Sequence, residues 1–199
     1  GQSPESVSYA VYELLDRLGC RWFVPSELGE CVPRLKTISL QPADFSGLPS
    51  TLGRKIWYAD ADFIRRNRMG GLYVQHGHAL EIAGYVSKRQ LEEHPDWNAE
   101  IGGKRSVNGR FCWANPELAD AVADGVLAYI EKTGHQTVSL SPNDGVAFCE
   151  CEKCRALDAG DLDKSMGCVS LTDRYVHFLN RIAARVAGKR PDVLMGFLA

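Results

Sequence analysis

Apolar residues Val7, Ala10, Val11, Leu14, Leu15 and Leu18 recur three and four positions apart and stop at Gly19. That period predicts an amphipathic helix over residues 6–18, closed by a glycine C-cap. A second stripe, Leu118, Ala121, Val122, Val126, Leu127 and Ile130, predicts a helix over residues 117–132. Asn115 before Pro116 supplies its N-cap and a proline at the first helical position. A third stripe, Tyr175, Val176, Phe178, Leu179, Ile182, Ala183 and Val186, predicts a helix over residues 171–187. Between the helices lie short apolar or alternating runs at 20–24, 54–58, 110–114, 136–140 and 193–198, each read as a strand, and a ribbon over 29–40 with Pro33 at a strand start. Strands alternating with helices predict an α/β chain whose strands form a parallel sheet or a barrel.

Pro42 to Pro49, enclosing Asp44, Ser46 and Gly47, reads as a linker. It separates a small α/β piece, residues 1–48, from a second unit, residues 49–199. The final run, from Val193, is an apolar strand that expects neighbours on both sides, which implies that the chain continues. Alone, it would expose an edge prone to self-association.

Composition narrows the functional classes. The chain has 199 residues, 45% hydrophobic, a formal net charge of −2 and 24% charged residues. That is enough apolar material for a real core, and it offers no basic field for nucleic acid. No apolar run approaches the length of about 20 residues that a spanning helix needs.

The densest chemistry follows the run ending at Leu140. Ser141-Pro-Asn143-Asp144-Gly145 leads into Cys149-Glu-Cys151-Glu-Lys-Cys154. Three thiols within six residues can converge on one point. With a fourth ligand, from Cys112, Cys168 or His177, they would make a closed tetrahedral thiolate site for structural zinc. Disulfides are the second reading, since the seven cysteines of an exported protein can supply up to three bridges and one free thiol. Small buried apolar side chains are the third.

Other residues carry two readings each. Asp144 is a carboxylate at a strand end, suited to acid–base work on a sugar, or a turn residue in Pro142-Asn143-Asp144-Gly145. Asn143 and Asn115 are candidates for binding hydroxyls, with N-capping the competing role of Asn115. His76 and His78 follow Gly70-Gly71, and His78 reads as part of a substrate-binding loop. Lys104 and Arg105 are placed to clamp a uronate carboxylate, or form a solvated turn after Gly102-Gly103. Trp57, Trp97 and Trp113 offer rings for a sugar's apolar face; Trp113 falls in an expected strand and reads as core, and Trp97 is the expected platform.

Two groups of motifs resemble known families. Tyr9-Ala-Val-Tyr-Glu-Leu-Leu-Asp-Arg-Leu-Gly-Cys-Arg-Trp-Phe23, with Pro25, Glu27-x-Gly29 and Pro33, resembles the end of the small α/β domain preceding the barrel in alpha-glucuronidase-like and hexosaminidase-like glycoside hydrolases. His94-Pro-Asp-Trp, Gly103-Lys-Arg105, Cys112-Trp-Ala-Asn-Pro116 and Ser141-Pro-Asn-Asp-Gly145 before the cysteines resemble an uncharacterised bacterial domain of unknown function. That family occurs in large proteins of carbohydrate-active character. The resemblance implies the first half of a (β/α)8 TIM-like barrel over residues 49–199, with chemistry at the C-terminal strand ends. It implies an extracytoplasmic glycoside hydrolase acting on a polysaccharide or oligosaccharide, with Asp144 catalytic, no cofactor needed for catalysis and a second carboxylate outside this chain. A non-catalytic carbohydrate-binding barrel and a metal-stabilised interaction module are the alternatives.

Overall fold

The computed structural model describes residues 4–42, 44, 46–107 and 109–198. Residues 43 and 45 of the expected linker, and Ala199 after the expected last strand, lie outside the described residues. The chain divides into two compact units, residues 1–73 and 74–199.

In the first unit α1 (Pro4–Arg17) is the expected helix, followed by β1 (Arg21–Trp22) and β2 (Glu30–Cys31), which pair antiparallel. Next come β3 (Gly53–Arg54), α2 (Ala61–Arg66) and β4 (Gly70–Gly71), with β3 antiparallel to β4. The compact unit runs past residue 48 because the later segment is tied to α1. The Tyr9 hydroxyl donates to the Met69 carbonyl at 2.8 Å, and Arg68 pairs with Glu13 at 2.6 Å. The expected strand over 54–58 forms only at its first residue. Tyr58 adopts φ 60°, a left-handed conformation incompatible with continuing a strand.

The second unit begins with α3 (Lys88–Glu93), capped by a reciprocal Ser87–Gln90 box, and the hairpin β5 (Glu100–Ile101) and β6 (Lys104–Arg105). Then follow α4 (Pro116–Thr133), β7 (Thr137–Ser139), α5 (Glu152–Arg155), the hairpin β8 (Leu162–Asp163) and β9 (Cys168–Val169), α6 (Thr172–Ala187) and β10 (Leu194–Gly196). β7 and β10 pair in parallel, so β7, α6 and β10 form a βαβ crossover. α4 packs on α6, and Val122, Val126, Ile130, Phe178, Ile182 and Val186 are almost wholly buried with Val138 of β7. Arg181–Asp120 at 2.8 Å and Arg185–Asp124 at 2.7 Å flank this helix pair.

The fold is therefore α/β. Among the described residues the regular strands form five two-stranded pairs, of which one is parallel, and no closed barrel is present. The strand expected over 110–114 is replaced by a single antiparallel bridge, Phe111 to Asn98, and a turn in which the Asn115 N–H returns to the Cys112 carbonyl at 2.9 Å. Trp113 and Ala114 belong to the turn leading to the Asn115 N-cap of α4, so the extension ends two residues earlier than the apolar pattern suggests.

Gly125 lies inside α4 where a Cβ would stand 1.8 Å from the Tyr85 carbonyl oxygen. In an open helix glycine to alanine stabilises by about 1 kcal/mol. Here Gly125→Ala should instead destabilise by about 1–3 kcal/mol, because helix and loop must separate. Denaturant midpoints check the sign.

Candidate metal centre and adjoining polar site

The four sulfurs of Cys112, Cys149, Cys151 and Cys154 lie within 4.8 Å of one another, and all four residues are buried. Two segments bring them together, the turn at Cys112 and the run Cys149–Cys154. Cys112 is held through its N–H to the Trp97 carbonyl at 2.8 Å. Cys149 is joined to the β5 hairpin, since the Glu150 N–H meets the Glu100 carbonyl at 2.8 Å and the Glu100 N–H meets the Cys149 Sγ at 3.3 Å. Cys151 is the N-cap of α5, and Cys154 lies inside that helix.

The separations fit a metal. Cys112 Sγ stands 3.7 Å from Cys151 Sγ and 3.8 Å from Cys154 Sγ. A zinc–thiolate bond of about 2.3 Å sets a tetrahedral sulfur–sulfur edge of about 3.8 Å. Four thiolates around a divalent ion leave two negative charges, and two guanidinium groups, each also near a carboxylate, adjoin them. Arg105 reaches the Cys112 and Cys151 sulfurs. Arg174, 3% exposed, donates to the Cys149 carbonyl at 2.6 Å and pairs through its other nitrogens with Asp158. Without metal the thiols share protons unequally. Hydrogen bonds from Cys112 and Cys154 hold Cys149 far below the usual thiol range, while the bond with Cys149 pushes Cys112 up to about 11. A buried four-cysteine group of this kind can bind a metal such as zinc. Cys168, on β9, and His177, on α6, are exposed and stand outside it.

A second cluster gathers where the chain leaves β7. His78 bridges in parallel to Ser141, and the Ala79 and Leu80 N–H groups both donate to the Ser141 carbonyl, at 3.0 and 2.9 Å. His78 Nδ1 donates to the Pro142 carbonyl at 2.5 Å, which leaves Nε2 facing Asp144 Oδ1 at 3.1 Å. Arg110 donates to the Asn143 carbonyl at 2.7 Å and to the Asp144 carbonyl. Gly145 has φ +113°, and a Cβ there would meet the Arg110 guanidinium at 2.7 Å. Glu81 Oε2 accepts the Asn143 N–H at 2.9 Å. The turn 142–145 is thus held by three side chains, and Asp144, 90% exposed at its side chain, projects from it.

Of the residues expected to bind substrate, His78, Asn143 and Asp144 come together here. Asn115 is occupied elsewhere, since its Oδ1 caps α4 at Leu118 at 3.0 Å and its amide donates to Asp96 at 2.7 Å. Trp97 is not an exposed platform. It is 6% exposed and stacked on His94 at 4.2 Å, because the 95–98 turn folds it under α3. Arg105 does not stand free as a uronate clamp; its guanidinium donates to the Asn98 carbonyl at 2.6 Å and approaches Glu100 at 3.6 Å beside the thiols. Trp113 is core, as expected, with Tyr175 and Phe148 as its ring neighbours.

Sequence reading missed Glu81, Arg110 and Arg174. Glu81 follows His78 by three residues, a spacing that places both on one side of a turn. Arg110 and Arg174 had no local signal, since their partners are 33 and 25 residues away.

Burial pushes the Glu81 carboxyl up to about 6, against the opposing pull of the Asn143 N–H, Arg110 and His78. A carboxyl whose proton is held more tightly in the folded state than in the unfolded chain loses stability as it ionises. The protein should therefore lose about 1–2 kcal/mol as pH rises from below 4.5 to above 6 through this group. Glu81→Gln should remove that component, which unfolding titrations of both proteins across the window would measure.

The profile of a family described as Domain of unknown function (DUF4838) matches residues 24–199, and the chain belongs to that family. No curated protein and no solved structure matches it significantly. No helix among the described residues is long and apolar enough to cross a membrane.

Proposed function

We propose that residues 74–199 are a zinc-stabilised unit, with Cys112, Cys149, Cys151 and Cys154 as the four ligands. The observation that carries this reading is the convergence of four buried sulfurs within 4.8 Å from two segments distant in the chain. A closed four-thiolate shell leaves no open position for substrate, so the ion's role is structural. It would pin the loop after β7 to the β5–β6 hairpin, where short strands alone supply few ladder bonds. Cobalt substitution tests it: tetrahedral thiolate ligation yields intense sulfur-to-cobalt charge-transfer and visible d–d bands. A six-coordinate, weakly coloured cobalt spectrum would contradict it.

A second reading concerns activity, and the Asp144–His78 pair favours it. An exposed carboxylate backed by an imidazole, on the turn after a strand of a parallel βαβ crossover, lies where (β/α)8 barrels place their chemistry. We read the crossover as part of such a barrel and the protein as an extracytoplasmic glycoside hydrolase. A panel of aryl glycosides tests turnover. Glycan binding without turnover would identify a carbohydrate-binding protein instead.

A further inference from the structure

We propose that Glu81 is the second carboxyl of the site, donating a proton to the departing glycosidic oxygen while Asp144 acts as the ionised partner; this rests on the glycoside-hydrolysis reading. The resemblance implied a second carboxylate outside this chain. Glu81 offers one within it, in contact with Asn143, the residue next to Asp144.

The turn itself makes limited demands. Its carbonyls are satisfied by His78 and Arg110, and its Asn143 N–H needs one acceptor, which Glu81 Oε2 supplies. A glutamine oxygen would accept that bond equally well without burying an ionisable group, so holding the turn does not explain a carboxyl. The other oxygen, Oε1, is buried and has no hydrogen-bond partner among the described residues. A negative charge shared with an unsolvated oxygen is costly, which favours the neutral acid. Oε1 is shielded from solvent, so a glycosidic oxygen, or a water leading to it, reaches this oxygen only when substrate binding displaces the residues that cover it.

The surroundings separate the two carboxyls. Asp144 faces solvent and His78; Glu81 is half-buried, with Arg110 and His78 favouring its charge and Tyr175 close enough to feel it. Burial outweighs their influence and pushes the Glu81 carboxyl up to about 6. Paired carboxyls whose environments differ in this way can hold opposite protonation states at one pH, as acid and base must. In direct displacement, Glu81 gives its proton to the glycosidic oxygen as the C1–O bond breaks and the electron pair leaves with the alcohol. Water forms the new C1–O bond and passes one proton to Asp144. That proton returns to Glu81 through solvent, and both carboxyls regain their starting states.

Two measurements on the zinc-loaded protein decide between donor and bystander. Carbon-13 NMR of the wild-type carboxyls should show Glu81 titrating near 6; a midpoint in the ordinary glutamate range, about 4, overturns the proposal whether or not any variant folds. Glu81→Gln should lower kcat/KM for a phenyl glycoside by on the order of 100-fold or more, and for the dinitrophenyl glycoside of the same sugar only severalfold, because an activated leaving group needs no proton. Equal losses on both substrates would overturn the donor role while leaving hydrolysis itself standing. Absence of wild-type turnover across a broad glycoside panel would remove the hydrolysis reading and the donor role with it.

Discussion

Replacing Cys154 by serine should abolish stoichiometric zinc and lower the melting temperature by on the order of 10 °C or more. Cys154 is the least exposed of the four ligands, at 0%, and α5 closes over it. Serine lacks the soft thiolate, and its hydroxyl would be left among three sulfurs that no longer share a cation. The loss extends beyond one contact, because the ion would join the Cys112 turn, the β5-linked Cys149 and the N-terminus of α5. Cys168→Ser is the matching control, expected to change neither metal content nor stability, since Cys168 is exposed on β9. Elemental analysis and thermal unfolding of both variants provide the measurement. Wild-type protein prepared under reducing conditions that fails to retain or take up zinc would contradict the assignment, and loss of titratable thiols would point to bridges.

Asp144→Asn should lower turnover of a susceptible glycoside by about 100-fold to 10,000-fold with little change in unfolding free energy. The asymmetry follows from position. Its side chain is 90% exposed and meets His78 Nε2, so the amide removes the charge without disturbing packing. The backbone hydrogen bonds that hold the turn use the Asp144 carbonyl and are untouched. Circular dichroism and zinc content should match wild type. A variant that keeps full turnover would return Asp144 to its other reading, a residue chosen for turn geometry.

The helical parts of the fold were legible because helix formation is largely local. Stripes at three- and four-residue spacing gave α1, α4 and α6 with ends within two residues, and Asn115 caps α4 as its position before Pro116 suggested. The strands were less so. Residues 54–58 and 110–114 have strand-like composition, yet only Arg54 joins a two-residue ladder and only Phe111 makes a single bridge. Strand identity depends on a partner, and composition carries no information about partners.

The candidate sites divide along the same line. Spacing allows Cys149, Cys151 and Cys154 to converge without requiring it, and the folded chain brings the three sulfurs to one point. Choosing Cys112 over Cys168 and His177 as the fourth member required long-range folding: the turn before α4 carries Cys112 inward, while β9 and α6 hold the other two outside. Asp144 announces itself in a turn motif, but Glu81, Arg110 and Arg174 derive their character from burial and from partners distant in the chain. Residue types and short-range periodicity specify which groups are present and which helices form. Desolvation and the pairing of remote segments, which arise only when the chain closes on itself, settle which of those groups are shielded from water, charged or joined.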